Sequence, residues 1–231
     1  MSKEKTDYEV LAEVFTAWWR GLQSLHEESG KPKGPPGNPL PPNREALAKL
    51  RRIGVEPEGG QDAVDVISAL GVPAFLDLLK RLNGATFRER PKIQSWLTPD
   101  KRNPDNFKLE PFAIAAATIA RIRDDSSGNE HRCGATAKLL GEGFPETQVF
   151  AEPRFKRLMR CRNDWPDLMA QARRIAAILE KKAPVGDLAA SLVLWNADPR
   201  IRRDWAFQYY QKSFEVPDPV PAAAPSTPAT T

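Results

Sequence analysis

The 231-residue sequence predicts an all-α protein, a helical bundle of about seven to nine helices with a proline-rich connector and a disordered tail. Three observations carry that prediction. Apolar residues recur at spacings of three and four in segment after segment. Cap residues or prolines stand where those segments begin. Alternating runs of Val, Ile and Thr, the mark of half-buried strands, are almost absent.

The elements follow in order. Tyr8–His26 carries Leu11, Val14, Phe15, Trp18, Leu22 and Leu25 as one stripe. Asn43 caps REALAKLRRI, and Gly54 is placed to end it. Asp62 opens AVDVISAL. Pro73 sits in the first turn of AFLDLLKRLN, which Gly84 closes. Residues 85–109 are polar and irregular. Pro111 starts FAIAAATIARIR, and Pro153 starts RFKRLMRCR. Asp164 caps a helix from Trp165 to Lys182, Asp187 caps LAASLVLW, and Asp198 with Pro199 begins RIRRDWAFQYYQKSF. The segments group as an N-terminal amphipathic helix (1–30), the connector KPKGPPGNPLPP (31–42), an N-terminal helical part (43–150), a basic C-terminal helical part (151–215) and a tail (216–231). Six prolines in the connector rule out a helix there. The tail, VPDPVPAAAPSTPATT, has five more prolines and almost no charge, and is expected to be disordered outside the folded core.

Composition narrows the function. No HExxH, GxSxG, CxxC or glycine-rich phosphate loop is present, so an enzyme is not expected. No cofactor is implied. Zinc held by His131, Cys133 and Cys161 lacks an evident fourth ligand. A nuclease centre at Asp124, Asp125 and Glu130 is the weaker reading of DDSSGNE, which suits a polar loop. No apolar run approaches the roughly 20 residues of a membrane helix. The charged start, MSKEKTDYEV, does not look like a signal peptide, and a cytoplasmic location is expected.

Charge is unevenly distributed. Residues 1–30 hold 3 basic and 6 acidic side chains, whereas residues 151–215 hold 13 and 8. Between 154 and 174, seven cations face only Asp164 and Asp167. Such a field attracts phosphate backbones more than small neutral substrates. At about 100° per residue, Phe155, Leu158 and Met159 fall opposite Lys156, Arg157 and Arg160. Leu168, Ala172, Ile175 and Leu179 likewise oppose Arg174. Arg44 and Arg51, seven apart, share one face of their helix, with Lys49 and Arg52 on a neighbouring stripe. Any one stripe is most simply a solvated face. Several arginine-rich stripes in one bundle favour nucleic acid, because the guanidinium fork matches phosphate.

The C-terminal half resembles the small subunit of the type I-E CRISPR surveillance complex, Cascade (the CasB family). RFKRLMRCR, LMAQARRIAAIL, DLAASLVLW and RIRRDWAFQYY carry the resemblance in that order. AWWRGL, REALAKLRR and CGATAKLL add weaker matches upstream, with Lys138 where the family more often has Arg. The resemblance implies a non-catalytic subunit in antiviral defence. It would sit as a head-to-tail pair with a second copy along the crRNA-bound backbone filament, beside the large and other subunits. There it would touch the target and displaced DNA strands and hold the R-loop open. The nucleic-acid role carries over to Arg154, Arg157, Arg160, Arg173 and Arg174, and then to Arg44, Arg51, Arg52 and Lys138. Arg202 and Arg203, close in sequence to Asp198 and Asp204, are expected to serve structure or subunit contact. Trp18, Trp19, Trp195 and Trp205 are expected in the core. The competing reading is a helical adaptor that binds only protein.

Overall fold

The computed structural model describes residues 5–23, 43–56, 63–84, 93, 96–97, 108–126, 133–179 and 182–211. The proline connector, the tail, His26, Glu130, His131, Asp62 and most of 85–109 lie outside the described residues.

Among those residues are ten helices: α1 (Asp7–Gln23), α2 (Arg44–Arg52), α3 (Val66–Leu70), α4 (Pro73–Leu82), α5 (Glu110–Ile119), α6 (Ala135–Leu140), α7 (Glu152–Arg160), α8 (Trp165–Ile178), α9 (Val185–Leu194) and α10 (Pro199–Tyr209). Four two-residue strands accompany them. β1 (Val55–Glu56) pairs antiparallel with β2 (Ala63–Val64), and β3 (Asp124–Asp125) pairs parallel with β4 (Lys182–Ala183). The architecture is an all-α bundle.

Two helices form its centre. From Pro111 to Ile119 every residue of α5 is buried, and so is every residue of α9. A helix apolar all round has to be surrounded. α1 and α5 pack on α9, α8 packs on α5, and α10 packs on α6. One hydrophobic cluster runs through these elements. Trp18, Trp19, Trp195 and Trp205 all sit in it, each at 4% exposure or less. Each indole N–H finds an acceptor: the carbonyls of Ala74, Ile119 and Cys161, and the Ser191 hydroxyl. These four tryptophans are core anchors, and none of the four offers a face for base stacking.

The local signals mostly hold. The side chains of Asn43, Asp164 and Asp198 accept from the backbone N–H groups of Ala46, Asp167 and Arg200. Pro73, Pro111, Pro153 and Pro199 stand in first turns, where the missing N–H costs nothing. Four expectations are corrected. The cap of α3 is Asp65, which accepts from Ser68 N at 2.7 Å, because Ala63–Val64 is strand β2. α8 ends at Ile178, since Lys182 joins Asp124 in the parallel pair. Asp124–Asp125 is a strand and no loop.

The fourth correction concerns Asp187. It caps nothing on α9, whose cap is Pro184. It is 2% exposed and accepts from Gly134 N at 2.8 Å, from Thr136 N at 2.6 Å and from the Tyr8 hydroxyl. One carboxylate thereby caps α6 from another helix and ties α1 to both. Burial pushes the Asp187 carboxyl above its ordinary range, against the bonds from Thr136, Tyr8 and Gly134. α6 itself is short and bounded by Gly134 and Gly141, and α10 passes close to both. A Cβ at Gly141 would meet the Tyr209 carbonyl oxygen at 2.2 Å, so only glycine permits that approach.

Candidate nucleic-acid interface

α7 exposes one face by the arithmetic of its sequence. Phe155 and Leu158 are buried, Met159 is half-buried, and Arg154, Lys156, Arg157 and Arg160 are exposed. The buried side is fixed by a stack of Phe155 on Tyr209, with centroids 3.8 Å apart and planes 7° apart. Lys156 pairs with Glu152 at 2.9 Å, and Arg157 with Asp167 of α8 at 3.0 Å. Arg154 and Arg160 have no ion pair among the described residues.

A chain of polar contacts runs from α7 along α8. Asp167 accepts from Arg157 Nη2 and from Gln171 Nε2, each at 3.0 Å, and from the Cys161 thiol at 3.2 Å. Gln171 then accepts from Arg174 Nη1 at 3.1 Å. Burial pushes the Asp167 carboxyl up, and the bonds from Gln171, Cys161 and Arg157 outweigh it and hold it below its ordinary value.

The next arginine begins a different arrangement. Arg173 Nη2 donates to the carbonyl of Ile53, just past the end of α2. Arg121 Nη2 donates to the carbonyl of Arg51 at 3.0 Å, and Arg51 Nε donates to the carbonyl of Ala120 at 2.7 Å. Three guanidinium groups thus bind backbone carbonyls at the C-terminal ends of α2 and α5, where such groups lack intrahelical partners. No carboxylate pairs with any of the three among the described residues. Burial, and then the nearby charge of Arg173, hold Arg121 below its ordinary value.

Of the expected site residues, Arg157 and Arg174 are joined through Asp167 and Gln171, Arg154 and Arg160 share the exposed face of α7 with Arg157, and Arg173 turns instead to the end of α2, where Arg51 lies. Arg52 adjoins Arg51, exposed and unpaired among the described residues. Arg44 lies at the other end of α2, about 10 Å away at the helical rise of 1.5 Å per residue. Lys138 stands apart on α6, exposed beside a shallow cleft that it shares with Glu142, Gln208 and Tyr209. Sequence reasoning missed Arg121. It follows an unbroken apolar helix and belongs to no stripe, so its role comes from tertiary contact alone.

Arg203 pairs with Asp204 at 3.3 Å, but Asp198 pairs with Arg200 rather than Arg202. Arg202 lies near Arg162 instead; burial first, and then that like charge, hold it below its ordinary value. Asp125 joins Arg20 at 2.9 Å and accepts from Val185 N at 3.2 Å, a structural duty. The described residues contain no group of three or more His, Cys, Asp or Glu placed to hold a metal ion. No helix among them is long and apolar enough to cross a membrane.

Together these features define a helical protein with an arginine-lined flank. A family model described as CRISPR-associated protein Cse2 matches residues 46–210, more than two thirds of the chain. The chain belongs to that family, the small subunits of type I-E Cascade. No curated protein and no solved structure matches it.

Proposed function

We propose that this chain is a non-catalytic, cytoplasmic, nucleic-acid-binding subunit of a guide-RNA-directed Cascade complex. It contacts the target and displaced DNA strands and stabilises the R-loop in antiviral defence. The observation that supports the reading is the exposed face of α7, where Arg154, Arg157 and Arg160 stand together and Arg157 is linked through Asp167 and Gln171 to Arg174 of α8. Base pairing with the guide reads sequence, so a protein that grips only phosphates is sufficient here. The exchange of DNA pairing for guide pairing is nearly balanced, and modest backbone contacts tip it. Arg154, Arg157, Arg160, Arg173 and Arg174 would meet the strands first, with Arg44, Arg51, Arg52 and Lys138 at the margins.

The test is charge reversal in the assembled complex. With Arg154, Arg157 and Arg160 changed to Glu, the subunit should still co-purify with guide RNA and the larger subunits. The R-loop should open less completely, so that the displaced strand re-pairs and becomes less reactive to permanganate. Unchanged reactivity would overturn the nucleic-acid reading and leave a protein-only adaptor. Ile67 at 81% exposure, with Leu70 and Leu76 also exposed, is the observation that favours protein contact, with a neighbouring subunit or a second copy.

A further inference from the structure

The geometry points to a discrete phosphate subsite formed by Arg121 and Arg173, where one phosphate group is held by two guanidinium groups that the backbone carbonyls at the end of α2 keep in place. This inference rests on the nucleic-acid reading and deepens it, by separating a built anion site from a diffuse cationic face.

Convergence comes first. The carbonyls of Arg51 and Ile53 are two residues apart, and they accept from Arg121 and Arg173 respectively. Arg51 donates in return to Ala120, the neighbour of Arg121. The guanidinium groups of Arg121, from the end of α5, and Arg173, from α8, are therefore both held at the end of α2, near enough for the charge of one to act on the other. Their partners are neutral carbonyls. Those bonds orient the guanidinium groups and remove none of their charge. Two like charges gathered in this way repel each other unless an anion joins them.

Orphaned donors come second. The Nε–H groups of Arg121 and Arg173 are both buried, and neither has a hydrogen-bond partner. A buried donor without an acceptor costs about 1–3 kcal/mol. Native proteins leave few such groups, and two in adjoining arginines mark a missing acceptor. Each guanidinium carries five N–H donors, and the described bond uses one of them. A phosphate has acceptor oxygens enough to serve several donors at once, and it matches the planar fork in pairs. Because carbonyls already fix the side chains, little rotamer freedom remains to be lost on binding. A strand phosphodiester and a free phosphate share this chemistry.

The experiment uses the full chain. Arginine Nε–H resonances of the wild type are followed while inorganic phosphate is added, and a single-stranded oligonucleotide is then added in competition. Two Nε–H signals should shift saturably with phosphate and return toward the oligonucleotide-bound position in competition. Absence of a saturable shift overturns the subsite. Phosphate binding that the oligonucleotide cannot displace assigns the site to free anions and overturns its part in strand contact. Arg121→Gln should weaken oligonucleotide binding about tenfold, the scale of one or two charge-assisted bonds. Arg121→Lys, which keeps the charge and loses the fork, should fall between. Arg203→Gln, outside the site, should bind as the wild type does. Normal retention in Arg121→Gln, with loss in the Arg157→Gln and Arg160→Gln pair, sinks the subsite and leaves the functional reading standing. Normal retention in all of them sinks both. Should Arg121→Gln fail to fold, the wild-type spectra decide.

Discussion

The two arginine-rich regions use one residue type under opposite constraints. On α7 the cations of Arg154 and Arg160 extend into solvent, and Arg157 touches a single carboxylate. At the ends of α2 and α5 the guanidinium groups of Arg51, Arg121 and Arg173 are tied to backbone carbonyls. The first region offers charge that can adapt to a strand. The second offers charge already oriented, and it closes helix ends at the same time. A cation bound by a carbonyl serves structure without being neutralised, which an ion pair cannot do. Counting salt bridges would therefore misjudge which arginines remain available to a polyanion.

Stability measurements can break this comparison. The largest effect belongs to Asp187, which sets the scale for an interior polar group. Asp187→Ala strands two backbone N–H groups and the Tyr8 hydroxyl. A loss of about 3 kcal/mol or more is expected in urea unfolding. Arg173→Ala should cost about 1–2 kcal/mol, because it uncaps Ile53, whereas Arg160→Ala should stay within about 0.5 kcal/mol. Equal costs for those two arginines would erase the distinction between the regions.

Binding and titration sharpen it. Replacing Arg157 and Arg160 with Gln should flatten the salt dependence of nucleic-acid binding by about 0.7–0.9 in slope per lost phosphate contact. An unchanged slope excludes both side chains from the backbone contact. Asp167, held below its ordinary value, contributes stability that is present above the ordinary carboxylate range and is lost as pH falls from that range through the group's own lowered value. Urea midpoints of the wild type should therefore drop in acid more steeply than those of Asp167→Asn. The smallest effect is chemical. Burial, the bond to Asp167 and that carboxylate's charge push the Cys161 thiol up to about 12. Folded protein at pH 8 should be alkylated there far more slowly than unfolded chain, and Arg157→Ala, which removes the one nearby charge that lowers the thiol, should slow the folded protein's reaction further.

Helix starts were legible in the sequence because caps and first-turn prolines act through bonds within four residues. The apolar stripes of α1, α7 and α8 were legible for the same local reason. Asp187 misled because an aspartate ahead of LAASLVLW has the composition of a cap. Its carboxylate instead serves α6, 51 residues earlier in the chain. α6 escaped notice because six residues between two glycines carry little periodicity. The candidate site divided along the same line. Periodicity placed Arg157 and Arg160 on an exposed face, but it could not tell Arg51, anchored on Ala120, from Arg52, which is unpaired among the described residues. Nor could it find Arg121, whose partner lies 70 residues away.

The placement of the tryptophans bears on how this protein can be watched. Four of the six indoles are sealed in the interior with their N–H groups bonded inward, and Trp96 is also buried. Trp165 alone is half-exposed, in the first turn of α8 beside Asp164 and Asp167. Intrinsic fluorescence will consequently report global unfolding through the sealed set. A ligand arriving at the α7–α8 junction has one emitter within reach, so its quenching signal will be a small fraction of the total light.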